Sequence, residues 1–167
     1  MIKKHVFAAI LFMLISFGAC AQNFEVPADY SFKVKEDYTR YEKEVIAATD
    51  WRQATPLNEQ QDKRKNVSAF HMEWINGSPT VNVEINPAIM DFEKKNAGML
   101  ILYMAGSAKY VLTNNYSKDM RAKQKFALQI LMDVYKKDGS IKKDKKMDKL
   151  IKQTEEGKLD EWLEENL

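Results

Sequence analysis

Few residues of this 167-residue chain could do chemistry. It has two histidines, His5 and His71, and a single cysteine, Cys20. One cysteine excludes a disulfide framework and any Cys-rich zinc site. There is no HExxH pair for a metalloprotease, no G-x-S-x-G elbow for a nucleophilic serine and no glycine-rich phosphate loop. His71 is the one conventional base after the first turns of the chain. At helical spacing its neighbours are Val67 (i−4), Trp74 (i+3) and Ile75 (i+4), all apolar, while Glu73 points to another face. That spacing predicts a hydrogen-bonded, partly buried structural histidine rather than a catalytic one.

The remaining catalytic options are weaker. Asp138-Gly139 superficially suits an EF-hand loop, but the register puts Val134 at position one, Lys136 at three and Lys145 at twelve, where oxygen ligands are required. It reads as a turn. Glu42, Asp50, Asp62, Asp91 and Glu93 could each supply half of a glycosidase carboxylate pair. Nothing in their spacing singles out two of them, and solvated helix faces account for all five. The sequence therefore predicts no catalytic residue, no cofactor and no metal. The residues best suited to touch a ligand or partner are the soft and aromatic ones: His71, Trp74, Trp51 and Met104.

These residues need elements to hold them. The N-terminus reads as an address. Met1-Ile2-Lys3-Lys4 is basic, Val6 to Phe17 is apolar, and Ala19-Cys20-Ala21 offers an A-x-A site, so residues 1–21 are expected to be a signal peptide cleaved before Gln22. The rival reading takes Gly18-Ala19-Cys20 as the end of a lipobox, with Cys20 acylated; Phe17 stands where such a box usually has Leu. Both readings place residues 22–167 outside the cytoplasm, in the periplasm or cell envelope. Residues 1–21 hold Lys3 and Lys4 and no acid, so the remaining chain balances 24 acidic side chains against an equal number of basic ones. A neutral chain with four arginines is a poor candidate for nucleic-acid binding.

The rest reads as a mainly α, single-domain bundle of about six helices. Tyr38, Tyr41, Val45 and Ala48 predict a helix over 36–52. Thr55-Pro56 looks like a cap followed by a first-turn proline, predicting a helix over 56–75 that ends at Asn76-Gly77-Ser78-Pro79 with Gly77 as a left-handed cap. Val81, Val83 and Ile85 alternate with Asn82 and Glu84, predicting a minor β element near 80–85, paired with residues 31–35. Asn86-Pro87 starts another helix, with a bend at Asn96-Ala97-Gly98. Residues 97–113 are apolar on every side except Lys109 and should form a buried central helix, too short to span a membrane. Gly98, Ala105, Gly106 and Ala108 should let neighbours approach it closely. Ser117 caps a helix to about 137, and amphipathic stretches over 140–153 and from Leu159 complete the chain.

The C-terminus is split in charge. Residues 136–152 carry eight lysines and three aspartates, and 153–167 carry one lysine and six acids. Two solvated helices that attract each other explain this, and a weak contact of 136–152 with an anionic surface is the sharper alternative. The signal exit Ala19-Cys20-Ala21-Gln22-Asn23 is similar to those of exported proteins of Bacteroidetes-type bacteria. Asn96 to Asn114, the Lys-rich helix after it and the Gly157-Lys158-Leu159 ending resemble small envelope proteins of unknown function from that group, which implies location and no activity. The expected function is a non-enzymatic exported module that binds a protein partner or supports envelope structure. The alternative is a binder of a small apolar ligand in a Met- and aromatic-lined pocket.

Overall fold

A computed structural model describes Phe24–Leu167, so the signal-peptide and Cys20 expectations lie outside the described residues. The described chain forms eight α-helices: α1 (Lys35–Arg40), α2 (Glu42–Ala54), α3 (Gln61–Gly77), α4 (Pro87–Lys95), α5 (Met99–Thr113), α6 (Met120–Lys137), α7 (Lys145–Glu155) and α8 (Leu159–Asn166). Among the described residues no helix is long and apolar enough to cross a membrane.

Two expected helices are divided, which raises the count above six. Tyr41 leaves helical geometry (ψ 12°) and separates α1 from α2, while its ring packs edge-on against Phe32 and Phe70. Asn96 is extended and Gly98 has φ +97°, so the expected bend is a full break between α4 and α5. Gly98 therefore serves backbone geometry, and the Glu93 carboxylate accepts hydrogen bonds from the Gly98 and Leu100 N–H groups at 2.8–3.0 Å to cap α5.

The Thr55-Pro56 expectation is corrected. A residue before proline is pushed out of helical geometry, and Thr55 (ψ 124°) closes α2 instead of opening α3. Pro56–Glu59 forms a turn, Gln60 adopts φ +48°, and α3 begins at Gln61. Gly77 is also corrected: it is the last residue of α3 and is not left-handed. A Cβ there would lie 1.9 Å from the Tyr38 hydroxyl, so close packing, not conformational freedom, calls for glycine. Asn86 caps α4 as its sequence predicts, accepting from the Ile89 N–H at 3.1 Å. The following cap is Asp119 rather than Ser117.

The expected β element does not form among the described residues. Residues 81–86 run without helix, turn or bend into the extended Asn86 and pair with no strand. The expected partner is committed elsewhere: the Lys33 and Val34 N–H groups donate to Asp37, capping α1, and Phe32 packs on Phe70.

The central position of α5 holds. Met99, Leu102 to Ala108 and Val111 are buried, and the helix packs against α2, α3, α4 and α6. A Cβ on Gly106 would lie 3.1 Å from Ile130 and 3.2 Å from the Ala127 backbone, so α5 and α6 meet nearly backbone to backbone there. Lys109 reaches out of this helix to form an ion pair with Asp50 on α2. Two cores result. One joins Leu102 and Tyr103 to α4, α6, α7 and α8 through Leu131, Met147 and Trp162. The other joins Met104 and Ala108 to α2, α3 and the N-terminal aromatics.

Candidate functional site

The four residues expected to contact a ligand or partner meet in the second core. Trp51 lies on α2, His71 and Trp74 on α3, and Met104 on α5; the first three are wholly buried. Trp74 donates through Nε1 to the Tyr38 carbonyl at 2.9 Å. The Trp51 ring carries the Arg64 guanidinium at 5.2 Å and the Lys63 ammonium at 5.4 Å from its centre. Met104 also lines a groove at the surface.

His71 sits inside a polar network that its own helix does not reveal. Its Nε2 lies 3.2 Å from Thr49 Oγ1 and 3.3 Å from the Val45 carbonyl. Its Nδ1 lies 3.1 Å from the Val67 carbonyl, and Arg52 Nε donates toward it at 3.3 Å. Burial, followed by the Arg52 charge, pushes the His71 pKa down to about 3, so the ring is neutral. Arg52 is itself only 1% exposed, and no carboxylate among the described residues pairs with it. Burial, and next the charge of Arg64, lower its pKa to about 9, and its second anchor is Ser68 Oγ. Arg64 donates to the Thr55 and Pro56 carbonyls, each at 2.8 Å, tying α3 to the end of α2. This network cross-links two helices and presents no open nucleophile.

The five carboxylates considered for glycosidic cleavage are dispersed. Glu42 accepts from the Tyr116 hydroxyl, Asp50 pairs with Lys109, Asp62 with Lys65, Asp91 with Lys94 and Lys146, and Glu93 caps α5. Among the described residues no group of three or more His, Cys, Asp or Glu side chains could hold a metal ion.

The segment Thr80–Asn86 borders a groove of about 510 Å³ whose lining carries no charged side chain: Ile75, Ser78, Val81, Asn82, Val83 and Met104 are among its walls. The segment is pinned at its two ends. Val81 N–H donates to Ser78 Oγ at 3.3 Å, and Lys123 Nζ donates to the Asn82 carbonyl at 2.6 Å. Asn86 then caps α4. Between these points the N–H groups of Asn82, Val83, Glu84 and Ile85 find no partner among the described residues. Ile85 is 43% exposed. The alternation of Val81, Val83 and Ile85 forms no strand among the described residues. No protein-family model, curated protein or solved structure matches the chain.

Proposed function

We propose that this chain is an exported, non-enzymatic helical module that binds a protein partner in the cell envelope, and that the partner adds an extended strand to residues 81–86. The observation that carries this reading is a segment without helix, turn or bend, β-branched at alternate positions, with unpaired backbone donors beside an uncharged groove. Main-chain hydrogen bonds to such an edge supply affinity, and alternate side chains of the incoming strand supply specificity. An uncharged wall favours a segment with apolar or hydroxyl side chains at the inward positions, because a charge there would lose hydration without gaining a counter-charge. Export rests on the charged start, the apolar run and Ala19-x-Ala21.

The test is a photo-crosslinker placed at Ile85 in the producing cells, with Met72 on α3 as the control position. A partner captured at Ile85 and not at Met72 is then purified and returned to the isolated chain. The expected result is protection of the 82–86 amides from hydrogen exchange, and at least a tenfold loss of affinity in Glu84→Pro, which removes one donor from the edge. Protection confined to another surface would refute the strand-addition reading. Intact mass of the same preparation reports processing: a chain beginning at Gln22 supports cleavage, and a lipid mass on Cys20 supports the acylated alternative.

A further inference from the structure

Asn96 joins two parts of the chain that are distant in sequence. Its side-chain Nδ2 donates to the Lys142 carbonyl at 2.9 Å, and its Oδ1 accepts from the Lys142 N–H at 2.8 Å. This two-point clamp, on a residue only 8% exposed, presses the loop after α6 against the end of α4. The last-turn lysines of α4, Lys94 and Lys95, consequently share an open hollow of about 350 Å³ with Lys145 and Lys146 at the start of α7. The hollow's two carboxylates are committed. Asp144 caps α7 by accepting from the Lys146 N–H at 2.8 Å. Asp91 is held by Lys94 and Lys146, and these two lysines pull its pKa down to about 2. Among the described residues Lys95, Lys145 and Lys149 have no carboxylate partner.

An apolar slot of about 450 Å³ opens next to this shelf. Phe92 of α4 and Trp162 of α8 line it together with Pro87 and Ala88, and Lys146 and Lys149 stand on its rim. Asp91 and Lys146 line both openings, so shelf and slot are continuous. Glu165 is the one further acid on the slot, and it discourages an anionic group from entering there while leaving the shelf cationic. Five lysines against three acids, with hydrocarbon walls alongside, match a ligand that is anionic at one end and apolar at the other.

We infer that this face binds anionic phospholipid at a bilayer surface, with the phosphate between Lys145 on the shelf and Lys149 on the rim of the slot, and the upper acyl chain beside Phe92 and Trp162. Lysines near an anionic leaflet add attraction that salt screens, and an apolar contact beside them converts a diffuse attraction into a seated one.

The test uses the protein as purified from the producing cells, on a Cys20→Ala background so that no acyl group can anchor it. Vesicles of phosphatidylcholine alone are compared with vesicles containing about one-third phosphatidylglycerol, near physiological ionic strength. The expected result is binding at least tenfold tighter to the anionic vesicles, lost roughly tenfold or more in Lys145→Gln/Lys149→Gln. Brominated acyl chains should quench Trp162 emission, and Trp162→Phe should remove that quenching while the chain still binds. Glu84→Pro should bind vesicles normally, which separates this inference from the partner-binding edge. Equal binding to neutral vesicles would overturn it. So would an equal loss in the control Lys43→Gln/Lys118→Gln, or displacement from vesicles by millimolar inorganic phosphate, which would make a free phosphate the ligand.

Discussion

The two cores on opposite sides of α5 are built from different materials. Toward α6, α7 and α8 the interior is aliphatic and aromatic; its buried charges, Lys123 and Asp144, donate to or cap backbone at its margin, and its ion pairs lie at the surface, where Arg121 meets Asp160 and Glu164 and Lys136 meets Glu155. Toward α2 and α3 the interior buries Thr49, Arg52, Arg64 and His71 among rings. The first side is specified mainly by shape. The second must also satisfy donors and acceptors, so its arrangement is fixed more narrowly and responds to pH. The apolar side also presents the lysine shelf to solvent, whereas the polar side presents the unpaired segment 81–86.

The largest expected effect tests whether α5 belongs to both cores. Leu102 is 1% exposed and faces the apolar side. Leu102→Ala should cost about 2–5 kcal/mol in chemical denaturation, through lost burial and a residual cavity. Trp74→Ala, on the polar side, should cost about 3–5 kcal/mol, with the Tyr38 carbonyl also losing its donor. A near-zero value for Leu102→Ala would detach the apolar core from the central helix, and one for Trp74→Ala would mean that its ring does not help to hold the polar core together.

Next in size is the α5–α6 contact. Gly106→Leu improves helix propensity by up to about 1 kcal/mol, but its first side-chain atom meets the Ala127 backbone at 3.2 Å. Overpacking of about 1–3 kcal/mol should win, and the melting temperature should fall. A rise would mean that the helices can separate without loss.

A pH titration separates the two sides more finely. His71 is the single histidine of the described chain. Unfolded, it takes up a proton near its ordinary pKa of 6.5; folded, it holds off until about 3. Its contribution to stability is therefore complete above about pH 6.5 and is lost as pH falls toward 3, with a slope of up to about 1.4 kcal/mol per pH unit. Between pH 7 and 5, before most carboxylates titrate, the wild-type melting temperature should drop, and His71→Gln should flatten that drop. An identical slope in both proteins would place the histidine in contact with water.

Legibility followed the range of the interaction. Asn86-Pro87 is a local signal, and its cap formed where the residues placed it. The apolar i−4, i+3 and i+4 neighbours of His71 point to partial burial, and the structure buries it wholly. Its partners Thr49 and Arg52 belong to another helix, and no spacing within α3 announces them. Thr55-Pro56 was local but ambiguous, since the same dipeptide can end one helix or begin the next. The lysine shelf depends on Asn96 reaching across 46 residues to Lys142, which makes a basic stretch legible and its α4 half invisible.

The smallest expected effect sharpens the comparison most. Two arginines of this chain invert the usual expectation for charge. Arg121 is exposed and has two carboxylate partners, Asp160 at 2.7 Å and Glu164 at 2.9 Å. Arg52 is buried and has none. Exposed pairs add little because water competes for both ions, so Arg121→Met should lower the melting temperature slightly, and the loss should vanish in about 1 M salt. Arg52 loses hydration with only neutral acceptors in return. In Arg52→Met the stem volume is kept, Ser68 still donates to the Arg64 carbonyl at 2.7 Å, and His71 Nδ1 can donate to the Val67 carbonyl while Nε2 accepts from Thr49. The Ser68 and His71 atoms that Arg52 touched each keep a partner, so the variant should lie within about 1 kcal/mol of wild type or above it, independent of salt. A loss of about 3 kcal/mol or more would show that the guanidinium organises the network, and that the polar core is held by the charge it buries.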